Sequence, residues 1–224
     1  MTLSRALFAF LVVLASPAAA QVWNRHALDY VALETGRVQW IVHGRIQAHG
    51  TRPDQARAGV RAAVEVSSRV EWTAGYYYIS ERDGDGSWSR EQRPFTGPEI
   101  TIAESRPAAI SFRSLVEAQI PEGQPHYFRF RERVQAQTSL PAGPFASFEV
   151  LFDNLGGWRG NRYVAGLRWN MGTSVIVEVS YLADAQAARI GPARHMIQTV
   201  WTVRRPHGGG GPGASDQRTS RGRQ

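Results

Sequence analysis

The 224-residue sequence has no cysteine, and all 26 of its basic residues are arginine. Without cysteine the chain is not a disulfide-stapled secreted module, a thiolate metal site, a thiol nucleophile or a lipoprotein tethered through an N-terminal Cys. Gly-x-Ser-x-Gly, His-Glu-x-x-His, a phosphate-cradling Gly-x-x-x-x-Gly-Lys and a calcium loop are absent as well. Asp83-Gly84-Asp85-Gly86 lacks the further oxygen ligands of a calcium site and reads as a solvated hairpin turn. The six His are scattered, and His43, His126 and His195 fall on expected strands as isolated polar residues. No catalytic residue, metal or cofactor is therefore expected.

What is present is a foldable body between two biased ends. At 42% hydrophobic and 10% aromatic the chain can form a core, and its length suits one domain. Arg5, the apolar stretch Ala6 to Ala15 and Ala18-Ala19-Ala20 have the three-part layout of a secretory signal peptide over residues 1–20, cleaved after Ala20. A single-span anchor is the alternative, but that apolar stretch is shorter than the ~18 residues a span needs. Residues 204–224 are rich in Gly, Arg and Ser and read as a disordered tail. The tail holds five Arg against one Asp and the leader one Arg, so the body, residues 21–203, carries only +2 of the net +7. Basicity outside the fold does not indicate nucleic acid as a partner.

The body alternates with period two, the signature of half-buried strands. From Val60 to Tyr78 the even positions are almost all apolar, while the odd ones include Arg61, Glu65, Arg69 and Glu71. Nineteen residues exceed one ordinary strand, so a tight turn is expected at Ser67-Ser68. The same pattern recurs around Trp40, Phe112, Phe130, Val150, Leu167 and Val177, with a less clean strand over Arg194 to Val203 and a shorter one over Ser89 to Phe95. These make about ten strands, an even count that would bring both ends of an antiparallel up-and-down barrel to one side. Short and long connections take turns, except that Thr96 to Pro107 is long where a tight turn is expected. Glu99 to Ala103 would continue the preceding strand beyond a bulge at Pro94 or Pro98.

Alternation alone does not say which face is inside. Three features favour a membrane barrel over a soluble one. Trp and Tyr lie near strand ends (Trp40, Trp72, Tyr76, Tyr78, Trp169, Tyr181, Trp201), as in interfacial girdles. Strands of about ten residues match the ~9–11 needed to cross a bilayer at a tilt. The polar rows hold both signs: Arg61, Arg69, Arg93, Arg113, Arg129, Arg131, Arg133, Arg162 and Arg168 against Glu65, Glu71, Glu91, Glu117, Glu149 and Glu178. Such groups could pair across a plugged or very narrow lumen. Glu132 is aimed outward by strict alternation, which suggests a membrane boundary or a strand end.

Gly75-Tyr76, Glu91-Gln92-Arg93-Pro94, the Arg113 to Glu117 strand, the Arg129/Arg131/Arg133 row, Glu149 with Asn154, Asn161-Arg162 followed by Gly166, and Glu178 followed by Tyr181-Leu182 together resemble the domain-of-unknown-function 2490 family. The resemblance covers roughly residues 37–203. It implies a bacterial outer-membrane β-barrel without an established activity, with outer-membrane lipids and the barrel-assembly machinery as partners. Such barrels usually end in an aromatic residue, whereas this chain continues for 21 residues past Trp201-Thr202-Val203.

The leading expectation is thus a non-enzymatic outer-membrane barrel, structural or concerned with the envelope, whose lumenal charges hold one another. In a variant of it, Arg129, Arg131 and Arg133 form a ladder that binds or passes an anion. A membrane-embedded lipid-modifying enzyme and a soluble periplasmic barrel holding a hydrophobic ligand are the alternatives.

Overall fold

A computed structural model describes residues 22–49, 51–187 and 193–204. The expected leader, with its cleavage point, and the tail beyond Arg204 lie outside the described residues. Every element within them is a strand: β1 (Val22–Thr35), β2 (Val38–His49), β3 (Arg52–Ser67), β4 (Val70–Arg82), β5 (Trp88–Ser105), β6 (Ala108–Pro121), β7 (Tyr127–Thr138), β8 (Ala142–Asp153), β9 (Gly157–Met171), β10 (Val175–Gln186) and β11 (Arg194–Arg204). Each pairs antiparallel with its chain neighbour. The ring closes between β1 and β11, which run parallel from Val22↔His195 to Val31↔Arg204.

The barrel therefore has eleven strands and mixed pairing, not about ten strands all antiparallel. The additional strand is β1. Its outward row, Leu28 and Tyr30, is interrupted by a bulge between Val31 and Leu33, after which Leu33 points outward in place of the next even position. A bulge inserts one residue and flips the alternation, so period two does not run through this segment. The odd count makes the first and last strands parallel, and the two ends of the described barrel lie at opposite rims rather than on one side.

One rim carries only tight connections, residues 36–37, 68–69, 106–107, 139–141 and 172–174. The longer ones, 83–87 and 122–126, lie at the other rim together with residues 154–156, the C-terminal ends of β2 and β10 and the N-terminal ends of β3 and β11. Gly36 opens the first tight turn at φ 59°, a conformation that a Cβ disfavours and that a two-residue hairpin with the strands' twist requires. The apparently long connection after Phe95 belongs to β5, which continues to Ser105 and leaves only Arg106-Pro107 as the turn.

Packing is inside-out relative to a water-soluble barrel. Among the described residues, 28 large apolar side chains are exposed and only twelve hydrophobic residues are buried. Leu28, Trp40, Val42, Val60, Trp72, Phe130 and Trp201 face outward, whereas Arg25, His43, Gln47, Arg93, Glu117, Gln119, Glu149 and Asp184 are buried. Trp40, Trp72, Trp169 and Trp201 lie within three residues of the strand ends at the tight-turn rim, and Trp88 and Trp158 begin strands at the other. Glu132 is neither at a strand end nor at a rim. It sits in the middle of β7, half-buried on the outer face, and accepts a 2.8 Å hydrogen bond from Ser114 Oγ on β6.

Two glycines shape the inner wall. Gly59 lies directly opposite Tyr77, and Gly75 directly opposite Phe95. The two rings lie over the glycines and stack at 4.6 Å between centroids. A Cβ on Gly75 would fall 2.5 Å from Phe95 Cζ and 2.6 Å from Val60 O. Gly75→Val is expected to destabilise the barrel by about 1–3 kcal/mol, the usual cost of overpacking. The readout is a lower temperature at which the folded band disappears on unboiled gels, and Phe95→Ala in the same chain should recover part of the loss.

Candidate functional site: the charged lumen

Inward-pointing residues of all eleven strands line one cavity of about 750 Å³, running from Tyr127, Gln186 and Arg194 at the long-connection rim to Gln137 and Thr202 at the other. The sheet's pleat sends alternate residues inward, and a closed ring turns each polar row into one stave of the wall.

On the β5–β10 side the charges are tightly matched. Glu117, fully buried on β6, accepts from Arg129 Nη2 at 2.5 Å and Nε at 2.8 Å, from Arg131 Nη1 at 2.7 Å, and from Gln119 Nε2 at 3.2 Å. Glu149 on β8 accepts from Arg131 Nη2 at 2.8 Å and Arg113 Nη2 at 3.3 Å, with Arg162 Nη1 at 3.5 Å. Arg162 Nε also donates to Asp184 at 3.1 Å. Arg133 donates to Glu99, Arg168 to Glu178 and Arg93 to the neighbouring Glu91. Glu117–Arg129, Glu149–Arg162 and Glu178–Arg168 are direct cross-strand neighbours, the positions at which opposite charges support a sheet. The Arg129, Arg131 and Arg133 guanidinium groups each meet a carboxylate.

Arg61 on β3 donates to Asp29 at 3.3 Å. Glu65 and Glu71 stand apart from the lattice. They oppose each other at the tight-turn rim and line a second concavity of about 360 Å³ with Glu34, Arg37, Arg69 and Glu99.

The β1–β3 wall carries groups that the alternating pattern did not single out as a site. His43 Nδ1 donates to Asp29 Oδ1 at 2.5 Å, and His43 Nε2 accepts from Arg57 Nε at 3.0 Å and lies 2.8 Å from its Nη2. Both ring nitrogens are engaged, so this His–Asp pair has no nitrogen left to take a proton from a nucleophile. Arg57 also lies 4.2 Å above the Tyr77 ring. Arg25 donates to Gln47 and Gln198, and Arg45 to Gln55. Arg25 and Asp29 belong to the bulged β1. Arg57 precedes the clean alternation, because the outward residues that flank it on β3 are the small Ala56 and Ala58.

Outside the lumen, Tyr181 Oη and His195 Nδ1 lie 2.5 Å apart. In the 83–87 connection, Ser87 donates to Asp85 through its hydroxyl at 2.7 Å and its backbone N–H at 2.8 Å. These two bonds hold the exposed Asp85 carboxyl below its ordinary range. Among the described residues no three His, Cys, Asp or Glu side chains come together as a metal site.

Removing Glu117 would leave Arg129 and Arg131 without their closest acceptor in a closed wall. Glu117→Ala is expected to cost about 3–5 kcal/mol, as when one partner of a buried ion pair is lost. Glu178→Ala, at a more exposed pair, should cost far less, about 0–1 kcal/mol. Urea midpoints of the folded barrel in detergent compare the two.

No curated protein and no solved structure matches the chain. The profile of the family described as Protein of unknown function (DUF2490) matches residues 20–193. That span covers most of the staves, including the Glu117 and Glu149 clusters, and the chain belongs to this family.

Proposed function

We propose that the chain is an outer-membrane β-barrel with a structural or envelope role, exported through a cleaved leader and holding a narrow polar lumen closed by its own ion pairs. One observation carries this reading: the apolar rows of the strands face outward over the whole barrel. Soluble monomers rarely expose apolar patches beyond a few hundred Å², whereas a bilayer-spanning barrel needs such a belt flanked by aromatic girdles. Strands of 11 to 18 residues are long enough to cross at a tilt. The division into a tight-turn rim and a long-connection rim supports an orientation with tight turns toward the periplasm.

The lattice around Glu117 and Glu149 supports the non-enzymatic side of the reading. A group already satisfied by its neighbours is poorly placed to move a proton or attack a substrate. Outer-membrane lipids and the assembly machinery are the partners this role requires.

The protein is expected in the membrane fraction after carbonate extraction, with different mobility before and after boiling, and lipids brominated on their acyl chains should quench the outward Trp fluorescence. A carbonate-soluble protein without a mobility shift would instead favour a periplasmic barrel. Glu132→Leu gives an independent check. If that face meets hydrocarbon, the change should stabilise the folded barrel by about 1–2 kcal/mol, less than the ~2–4 kcal/mol of a basic residue at the midplane. On a water-facing surface it should stay within about 0.5 kcal/mol.

A further inference from the structure

The lumen is not electrically balanced. Thirteen Arg line it against eight carboxylates, and the uncompensated charge is concentrated on one wall. Arg45 on β2 directly opposes Arg57 on β3, and its partner on β1 is Ala27, two residues from Arg25. Among the described residues, no carboxylate oxygen lies within 4.0 Å of any of these three guanidinium groups. Their acceptors are all neutral: Gln47 and Gln198 for Arg25, Gln55 for Arg45, and His43 for Arg57. Buried Arg45 Nε has no hydrogen-bond partner at all.

Guanidinium does not deprotonate in proteins, so three adjacent cations in a closed wall repel one another unless an anion joins them. Neutral acceptors fix where the groups point without cancelling their charge. We propose that Arg25, Arg45 and Arg57 form a binding site for a phosphate-bearing anion within the lumen. A phosphate group presents several acceptor oxygens and close to two negative charges, which suits planar forks arriving from three strands. A monocarboxylate would satisfy one fork and leave two.

The three arginines lie nearer the long-connection rim, at the fourth position of β1, the eighth of β2 and the sixth of β3. At the opposite rim Glu34, Glu65 and Glu71 surround the second concavity. Past the three arginines, an anion heading for the tight-turn rim meets a concavity whose four carboxylates, Glu34, Glu65, Glu71 and Glu99, outnumber Arg37 and Arg69. That arrangement favours retention over passage. Arg129, Arg131 and Arg133, on the far wall, are already held by carboxylates and take no part.

The full chain, folded in detergent and checked by its unboiled gel band, is titrated calorimetrically with inorganic phosphate and separately with dihexanoyl phosphatidic acid below its micelle concentration. Saturable binding is expected with at least one probe, weakened tenfold or more by Arg45→Gln and by Arg57→Gln, and less than twofold by Arg168→Gln. Binding of inorganic phosphate identifies a free anion as sufficient; binding of the phosphatidic acid alone identifies a lipid headgroup. Arg45→Lys keeps the charge but loses the fork, so it should fold even where Arg45→Gln does not, and should still weaken binding severalfold. No saturable binding of either probe, equal loss in all variants, or displacement by equimolar chloride would overturn the site. Phosphate binding in detergent is independent of the barrel's address, so its failure is distinct from failure of carbonate extraction.

Discussion

Closure of the sheet by β1 against β11 is the constraint from which the rest follows. A ring of eleven strands leaves no open edge, so the ladder groups of every strand find partners on both sides. Closure also creates an interior that cannot be widened by sliding one strand. The inner row of each stave is then committed to one shared volume of about 750 Å³. Sequence period decides which residues enter that volume, and in this chain they are the charged ones. The exposed Trp, Val and Phe rows are the other consequence of the same alternation, since each arginine sent inward sends its neighbours outward.

Charges gathered in such a space must be matched or they destabilise the ring. Leaving one member of a buried pair unpartnered costs several kcal/mol, more than a matched pair contributes over an apolar substitute. The β5–β10 wall meets this requirement by giving each arginine of its lattice a carboxylate, two of which serve several guanidinium groups at once. Glu117 serves Arg129 and Arg131, and Glu149 serves Arg113, Arg131 and Arg162. The β1–β3 wall meets it only halfway: Asp29 serves Arg61, but Arg25, Arg45 and Arg57 reach only glutamine oxygens and a histidine nitrogen. The difference between the walls is one of charge compensation rather than of hydrogen-bond number, which is why the proposed anion site falls there.

Much of the architecture is legible in the sequence, because period two survives wherever the strand is regular. A tight turn between β3 and β4, expected at Ser67-Ser68 and found one residue on at Ser68-Arg69, the run of β5 past Pro98 and the grouping of tight turns at one rim can be read without coordinates. The bulge in β1 defeats that reading: one inserted residue exchanges the faces, and Leu33 then belongs to the row that Leu28 and Tyr30 began. With β1 unread, the parallel closure and the opposite-rim termini are unreadable too. The candidate site divides in the same way. Period two places Arg129, Arg131 and Arg133 on one face, but the pairings depend on how strand tilt offsets the register. Arg133 lies directly opposite Glu149 yet donates to Glu99, and Arg131, which opposes Leu115 and Leu151, takes Glu149 instead. On the β1–β3 wall Arg45 and Arg61 stand in polar rows that alternate visibly with Val42, Ile46 and Val60, whereas two arginines stay hidden: Arg25 lies in the bulged strand, and Arg57 lies among outward alanines that give no apolar contrast.

The exclusive use of arginine fits this interior. A guanidinium is a flat fork of five donors that can bridge two acceptors at fixed angles, while an ammonium is a strongly hydrated point charge on a mobile stem. Arg131 spans Glu117 and Glu149, and Arg162 spans Glu149 and Asp184. Lysine at either position could neutralise one carboxylate but would not hold two strands in a set relation through a single rigid group. It would also be drier than its hydration favours. Fork geometry therefore suits both walls: bridging between carboxylates where acids are at hand, and a place for the proposed anion at Arg25, Arg45 and Arg57, whose acceptors are amides and an imidazole.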